Sequence, residues 1–213
     1  MQPRAHRALV RLAARRASEL SIAYVEELVR GCDDEDVHVV PLVGARLQSF
    51  GLTHTHRPGG SFGELFAPSA QTRCARLVAR ANTLGARDRR QAAYLFGRAC
   101  HLLADVAVPA RSRGVWHFYG DPLEAFIERH ADDLARFGCE DVPESHAPEV
   151  LVESLARYSS TFPADTTRTT WGSLRMRWLG RGTRVDDEEA EAQAKAIVPR
   201  ALSHTVALLR GLA

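Results

Sequence analysis

The chain is nearly devoid of lysine and poor in cysteine. Lys195 is its only lysine, so its 28 basic residues are otherwise arginines, and with 26 acidic residues its formal net charge is +2. A charge this small neither favours nor excludes a polyanionic partner. The four cysteines, Cys32, Cys74, Cys100 and Cys139, include no CxxC pair. Nothing in their spacing demands an oxidising compartment.

Long apolar runs are also missing. No segment is long and apolar enough to span a membrane, and arginines recur through residues 1–16, where a signal peptide would have an uninterrupted apolar stretch. As the sequence stands we expect a cytoplasmic protein, or a secreted one if a leader precedes it. The 213 residues, 45% hydrophobic and 25% charged, suffice for one sizeable core. No repeat or linker marks a boundary, so residues 1–213 are predicted to form a single domain.

Hydrophobic periodicity predicts helices joined by turns, and no run of residues predicts a strand convincingly. The predicted helices cover 3–16, 18–30, Ser69 to Gly85, Asp88 to Pro109, Asp121 to Phe137, 148–160 and 186–211. Gly31 is predicted to end the second of these. Asp121 and Pro122 form a strong helix start, because a capping carboxylate is followed by proline at the first helical position and by the acid Glu124 three residues after the cap. The sequence therefore predicts an all-α fold, a multi-helix bundle.

His101 and Asp105 are the most informative pair of residues. They stand four apart in the largely apolar segment 97–111, so both lie on one face of the predicted helix. An unpaired buried carboxylate is costly, and a divalent metal can bind an imidazole and a carboxylate held in this way. The alternative interpretation is a hydrogen-bonded pair without metal. Gly97, one turn earlier, leaves space for a ligand or for another backbone.

The segment that follows this pair resembles the core of the bacterial zinc-dependent phospholipase C family. That core is shared with the zinc nucleases specific for single-stranded nucleic acid. The family pattern is His-x3-Asp-x5-His, a loop, and then His-x3-Glu or Asp. Here His101 and Asp105 are followed by Arg111 in place of the second histidine, and then by His117 and Asp121.

Three upstream segments extend the resemblance. Ala5-His6-Arg7-Ala8-Leu9 resembles the first-helix ligand of the family, the acidic run at 33–36 resembles its acidic turn, and Thr-His-Thr-His-Arg-Pro at 53–58 resembles its His-Phe-Tyr-x-Pro segment. His54 is preferred to His56 because it stands four residues before Pro58. Asp36 is chosen from the acidic run by register, although such a run is also typical of a solvated turn.

The resemblance implies an all-α phospholipase C type of bundle with a zinc centre. Its implied metal ligands are His6, Asp36, His54, His101, Asp105, His117 and Asp121. Three further alternatives stay open: Asp121 as a helix cap, His117 as a side chain packed among aromatics, and His6 as an ordinary residue of an amphipathic helix. Family centres hold three zincs, but no tryptophan precedes His6 and Arg111 replaces a histidine. We therefore expect one or two Zn²⁺ rather than three.

The implied function is that of a zinc-dependent phosphoric diester hydrolase, in which a metal-bound hydroxide attacks phosphorus. Asp36 and Arg111 are the predicted catalytic residues, and Arg111 is expected to clamp a phosphate oxygen. A phospholipid headgroup is one candidate substrate. The arginine-rich loop 168–184, with Trp171 and Trp178, favours a nuclease acting on single-stranded nucleic acid as an alternative. A catalytically inactive relative that serves as a helical binding module is the other alternative, so whether the protein is an enzyme stays open.

Overall fold

The computed structural model describes residues 3–37, 39–42, 45–48, 54–59, 68–113, 121–166 and 184–212. Helices dominate these residues, as the sequence predicts. The elements in chain order are α1 (Pro3–Ala17), α2 (Glu19–Ala23), α3 (Val25–Val37), β1 (Val39–Leu42), β2 (Ala45–Gln48), α4 (Ala70–Leu84), α5 (Arg89–Val106), α6 (Pro109–Ser112), α7 (Pro122–Arg129), α8 (Pro148–Ser159) and α9 (Asp187–Arg210), with short 3₁₀ segments at Gly85–Arg87 and Ala131–Phe137.

Helix α5 lies at the centre of the fold. Every residue from Leu95 to Val106 is buried, because α5 packs against α3 on one side and α4 on the other, with α8 and α9 also in contact. Apart from Arg98, His101 and Asp105 this stretch is apolar around the whole helix, and such a helix is expected to be buried. His101 and Asp105 are therefore held in the interior by the most enclosed helix of the described chain.

Two glycines allow α3 and α5 to approach backbone to backbone. A Cβ added at Gly97 would lie 1.9 Å from the carbonyl oxygen of Leu28, and one added at Gly31 would lie 1.9 Å from that of Tyr94. The space left by Gly97 is thus filled by another backbone. The prediction that Gly31 ends a helix is wrong, because α3 continues to Val37 and the glycine serves this crossing.

Local capping signals predict several helix boundaries correctly. The side chains of Ser69, Asp88 and Asp121 cap α4, α5 and α7 by accepting backbone N–H groups. Other boundaries differ from the prediction. Helix α5 ends at Val106, and Pro109 begins the short helix α6 instead of closing α5, as suits a residue with no N–H to donate.

Three further differences concern the predicted helices and turns. The predicted helix 18–30 is divided into α2 and α3, and the helix predicted to reach Phe137 leaves α-helical geometry after Arg129. The turn-rich segment contains a short antiparallel hairpin in which Val39 pairs with Gln48 and Leu42 with Ala45. A two-stranded hairpin of this size leaves the all-α class of the fold unchanged.

Helix α1 is fixed to α7 at its N-terminal end. The carboxylate of Glu128 accepts the backbone N–H of Arg4 at 3.2 Å and that of Ala5 at 2.8 Å. These donors belong to the first turn, where an α-helix leaves its N–H groups without intrahelical partners. The contact places His6 in the interior.

Among the described helices, none combines the length and apolar character that a membrane crossing requires.

Candidate metal centre

Three histidines from different parts of the chain surround the carboxylate of Asp105. His101 on α5 places Nε2 3.5 Å from Oδ2, and His54 places Nδ1 2.6 Å from the same oxygen. His6 on α1 places Nε2 3.3 Å from Oδ1. All four side chains are at most 3% exposed. The structure thus brings together four of the predicted ligands.

The histidine rings also contact one another. His6 and His101 are stacked, with ring centroids 4.0 Å apart and planes inclined by 25°. The ring of His54 meets His101 edge-on, with 5.1 Å between centroids. Because the rings are packed against each other, each of them has little freedom to turn. The nitrogen atoms are therefore held in fixed directions, as a metal centre requires.

Cys32, on α3, lies against His6 and His101. Its Sγ is 3.8 Å from Nδ1 of His6 and 3.9 Å from Nδ1 of His101, and its carbonyl oxygen accepts the Nδ1–H of His101 at 2.8 Å. No sequence pattern predicts a role for Cys32. The one available signal is its register, since Cys32 stands one helical turn before Asp36.

Two overlapping groups within the described residues have the donors for a metal ion. His54, His101 and Asp105 form one, and His6, Cys32 and His101 form the other; in each group the potential ligand atoms lie within 4.8 Å of one another. Imidazole nitrogen, carboxylate oxygen and thiolate sulfur are the ligands of zinc in proteins. Nε2 of His6 is buried and faces Oδ1 of Asp105 at 3.3 Å, so a cation between them would have both atoms as ligands. The residues therefore fit a zinc ion.

Electrostatics keep both kinds of donor in the form that binds a cation. Burial, together with the neighbouring His101, lowers the pKa of His6 to about 4, so its ring is neutral near pH 7. Burial alone would raise the pKa of Asp105. Its interaction with His101 and the hydrogen bond that His54 donates instead hold that pKa well below its ordinary value. A neutral imidazole beside an ionised carboxylate is suited to Zn²⁺.

The acidic run on α3 divides its carboxylates among different partners. Glu35 is fully buried between Arg73 and Arg98, with Arg98 Nε 2.7 Å from its Oε2. Asp33 accepts a hydrogen bond from Nε of Arg7, and Asp34 accepts one from the hydroxyl of Tyr94. These acids therefore stabilise the packing of α3 against its neighbours. Asp36 is part of α3, but its side chain lies outside the described residues, so its role as a ligand stays a prediction.

The structure separates the two histidines of segment 53–58. His54 is directed to Asp105, whereas Nε2 of the equally buried His56 lies 2.7 Å from Oε2 of Glu153 on α8. Arg157 also donates to Glu153, at 2.6 Å. His56 thus belongs to a separate polar cluster that fastens this segment to α8.

Arg111, on α6, lies beside Glu124 of α7, the helix that Asp121 caps. Asp121 accepts the N–H groups of Leu123 at 2.8 Å and Glu124 at 3.3 Å as the N-cap of α7. Burial and the nearby Glu124 raise the pKa of Asp121 to about 6. Nε of Arg111 is 3.8 Å from Oε1 of Glu124. Burial would raise the pKa of Glu124, but Arg111 is among the charges that hold it below its ordinary value.

The sequence analysis assigned Glu124 only to a helix start and missed its burial beside Arg111. Predicted residues in two other segments lie outside the described part of the chain: His117, and Trp171 and Trp178 of the arginine-rich loop. The capping interpretation of Asp121 is accurate as geometry. It does not test metal binding by the second carboxylate oxygen.

The fold is similar to that of clostridial alpha-toxins. Alpha-toxin from Clostridium absonum superposes with a TM-score of 0.66 and 12% sequence identity, over 98% of this chain and 63% of the toxin chain. Alpha-toxin from an avian strain of Clostridium perfringens superposes with a TM-score of 0.63 and 13% sequence identity, over 99% of this chain and 62% of the toxin chain. The chain thus spans about three fifths of the length of these proteins. No protein-family model and no curated protein sequence matches. The predicted resemblance to zinc-dependent phospholipase C is confirmed at the level of the fold.

Proposed function

We propose that this protein is a zinc-dependent phosphodiester hydrolase of the phospholipase C type. One observation carries the proposal: three buried histidines converge on the single buried carboxylate of Asp105, inside a fold similar to that of alpha-toxin. A protein that used these residues only for stability would place four polar side chains in its core where apolar ones cost less. A functional role explains why these four side chains share the core.

His54, His101 and Asp105 would hold the principal zinc ion, with Asp36 as a further ligand. His6 would bind a cation that shares Asp105. Zinc in such a centre supplies a Lewis acid that polarises a phosphoryl oxygen and activates water. The described residues contribute the rest: they fix the ligand directions by ring packing, exclude bulk water, and hold Asp105 ionised.

Arg111 stands where the family pattern has a histidine, and we propose that it supplies part of the positive charge that another zinc would provide. The supporting geometry is its position 3.8 Å from the buried Glu124, with 18% of its side chain exposed. A guanidinium is permanently charged and can bind a phosphate oxygen through two N–H groups. Glu124 would orient it, and the exposed fraction would be available to a substrate phosphodiester.

Hydrolysis assays with two substrates test this function. Zinc-loaded protein is incubated with a short-chain phosphatidylcholine and, separately, with single-stranded DNA. We expect release of phosphocholine that stops when zinc is chelated. Cleavage of DNA alone would assign the nuclease alternative, and zinc binding without turnover of either substrate would favour an inactive binding module. Asp105→Asn serves as the inactive variant, and Asp165→Asn, which changes another buried aspartate, serves as its control.

A further inference from the structure

Cys32 contacts the two stacked histidines at the nitrogen atoms that do not face Asp105. In both rings Nδ1 lies near Cys32, at 3.8 Å and 3.9 Å from Sγ, whereas Nε2 lies near Asp105, at 3.3 Å for His6 and 3.5 Å for His101. The two rings are thus held between a thiol on one side and a carboxylate on the other. This arrangement bears on which nitrogen of each ring carries the proton.

The backbone of Cys32 determines the proton position in His101. Its carbonyl oxygen lies 2.8 Å from Nδ1, and a carbonyl can only accept a hydrogen bond. Nδ1 of His101 therefore carries the proton. A neutral imidazole has one N–H, so Nε2 presents its lone pair toward Asp105. This is the tautomer that a metal on the Asp105 side needs.

The thiol of Cys32 can determine the proton position in the ring of His6. A thiol either donates to Nδ1, which places the ring proton on Nε2, or accepts from Nδ1, which leaves a lone pair on Nε2. Nε2 of His6 lies 3.3 Å from Oδ1 of Asp105, a carboxylate oxygen that can accept an N–H or share a cation with the ring. A cation bound to Nε2 needs a lone pair there, so the ring proton must then be on Nδ1. Sγ of Cys32, 3.8 Å from Nδ1, is the acceptor that stabilises this arrangement.

We propose that Cys32 is a positioning residue of the metal centre and not a ligand. This inference rests on the zinc function proposed above. The carbonyl and the thiol of Cys32 accept the Nδ1–H groups of His101 and His6, so that both rings present Nε2 on the side of Asp105. A cation bound at Sγ would compete for Nδ1 of His101, which the carbonyl already engages at 2.8 Å. Outer partners of this kind select the tautomer and orientation of metal-bound histidines.

Cobalt substitution of the unmodified protein distinguishes positioning from ligation. Co²⁺ bound by nitrogen and oxygen ligands gives visible d–d bands, whereas a thiolate ligand adds an intense charge-transfer band in the near ultraviolet. We expect the visible bands without the charge-transfer band. A sulfur-to-cobalt band would show that Cys32 is a ligand and would overturn the proposal.

Zinc affinity of cysteine variants measures the positioning effect. The dissociation constant is determined by competition with a chromophoric chelator for the wild type, Cys32→Ala, Cys32→Ser and the control Cys74→Ala, which truncates another fully buried thiol. Cys32→Ala is expected to weaken zinc binding by about tenfold, the scale of lost outer-shell contacts. Cys32→Ser should recover part of this loss, because a hydroxyl can still accept from His6, and Cys74→Ala should bind like the wild type.

Two results would contradict the role of Cys32 in different ways. If Cys32→Ala and the wild type bind zinc equally, the positioning proposal fails while the zinc function stands. If the wild type binds neither zinc nor cobalt, the proposed function fails and this inference fails with it. The cobalt spectrum requires no variant, so it decides between positioning and ligation even if Cys32→Ala does not fold.

Discussion

Nδ1 of His54 lies 2.6 Å from Oδ2 of Asp105, although 51 residues separate them in the sequence. Asp105 belongs to the central helix α5, whereas His54 comes from a segment without regular structure. The contact joins that segment to the core through one buried carboxylate. Because His6 and His101 approach the same carboxylate, Asp105 is the common point of the proposed metal centre.

Replacement of Asp105 by asparagine is expected to weaken zinc binding strongly. The substitution keeps the shape of the side chain but removes the negative charge that three histidines face, so we expect the zinc dissociation constant to rise by at least about 100-fold. Competition with a chromophoric chelator measures the change. Asp165→Asn, at a buried aspartate that accepts the N–H of Val185, is the control. Similar zinc affinity in the Asp105 variant and the wild type would exclude Asp105 as a ligand.

Substitution of Gly97 by alanine is expected to disturb both stability and the metal centre. The new Cβ would meet the carbonyl oxygen of Leu28 at 1.9 Å, so α3 must move away from α5. We expect a loss of about 3 kcal/mol in the free energy of unfolding, measured with urea. Zinc affinity should fall as well, because Cys32 and His101 lie on the two helices that separate.

A second glycine variant provides the comparison for that experiment. Gly211 has a helical φ of −76°, and the nearest atom to an added Cβ is 3.2 Å away. A shift of a few tenths of an ångström relieves this contact with the carbonyl oxygen of Leu208, so Gly211→Ala should cost much less stability than Gly97→Ala. Equal stability of the two alanine variants would mean that the crossing of α3 and α5 is looser than the structure shows.

Local signals in the sequence predict helix ends better than they predict contacts between helices. Ser69, Asp88 and Asp121 act on N–H groups two or three residues away, so their roles can be inferred from neighbouring letters. The prediction for Gly31 is wrong because the backbone that requires a glycine there is that of Tyr94, which comes 63 residues later in the chain. A glycine that ends a helix and one that admits a second helix look alike in sequence.

The same contrast between local signals and contacts across the fold explains why only part of the candidate centre could be predicted. The spacing of His101 and Asp105 follows from helical geometry, and His6 and His54 could be chosen through the family resemblance. Cys32 and Glu124 carry no such signal, because an apolar thiol and a helix-start acid have common structural roles. Only the folded structure shows that Cys32, on α3, meets the ring of His6, and that Glu124, on α7, meets Arg111 on α6.

His204 is expected to make the protein less stable in acid. Burial lowers the pKa of this histidine below its ordinary value of 6.5, while its Nδ1–H donates to the carbonyl oxygen of Arg200 at 2.9 Å. The unfolded chain then binds the proton more readily than the folded one. The contribution of His204 to stability is therefore present above about pH 6.5 and is lost as the pH falls through its lower folded pKa.

Urea unfolding at pH 7.5 and at pH 5 measures this acid effect. His204→Gln should lose less stability between these two pH values than the wild type does. His146→Gln, at an exposed histidine, is the control and should behave like the wild type. An unchanged pH dependence in the His204 variant would show that this histidine does not titrate abnormally.

Arg111 is expected to matter for turnover more than for folding. Because its guanidinium is proposed to bind a phosphate oxygen, Arg111→Ala should lower kcat/KM for the phosphodiester by about 100-fold. Arg111→His restores the residue of the family pattern and should raise the number of zinc ions bound per chain. If Arg111→His changes neither the zinc content nor the activity, Arg111 does not substitute for a metal ion.

The most direct test of the metal centre is the zinc content of the purified protein. Tag-free protein is dialysed against zinc-free buffer, and metal per chain is measured by inductively coupled plasma mass spectrometry before and after zinc supplementation. We expect one or two zinc ions per chain, with Asp105→Asn retaining less than the wild type. If the wild-type protein holds no zinc even after supplementation, the proposed metal centre is wrong.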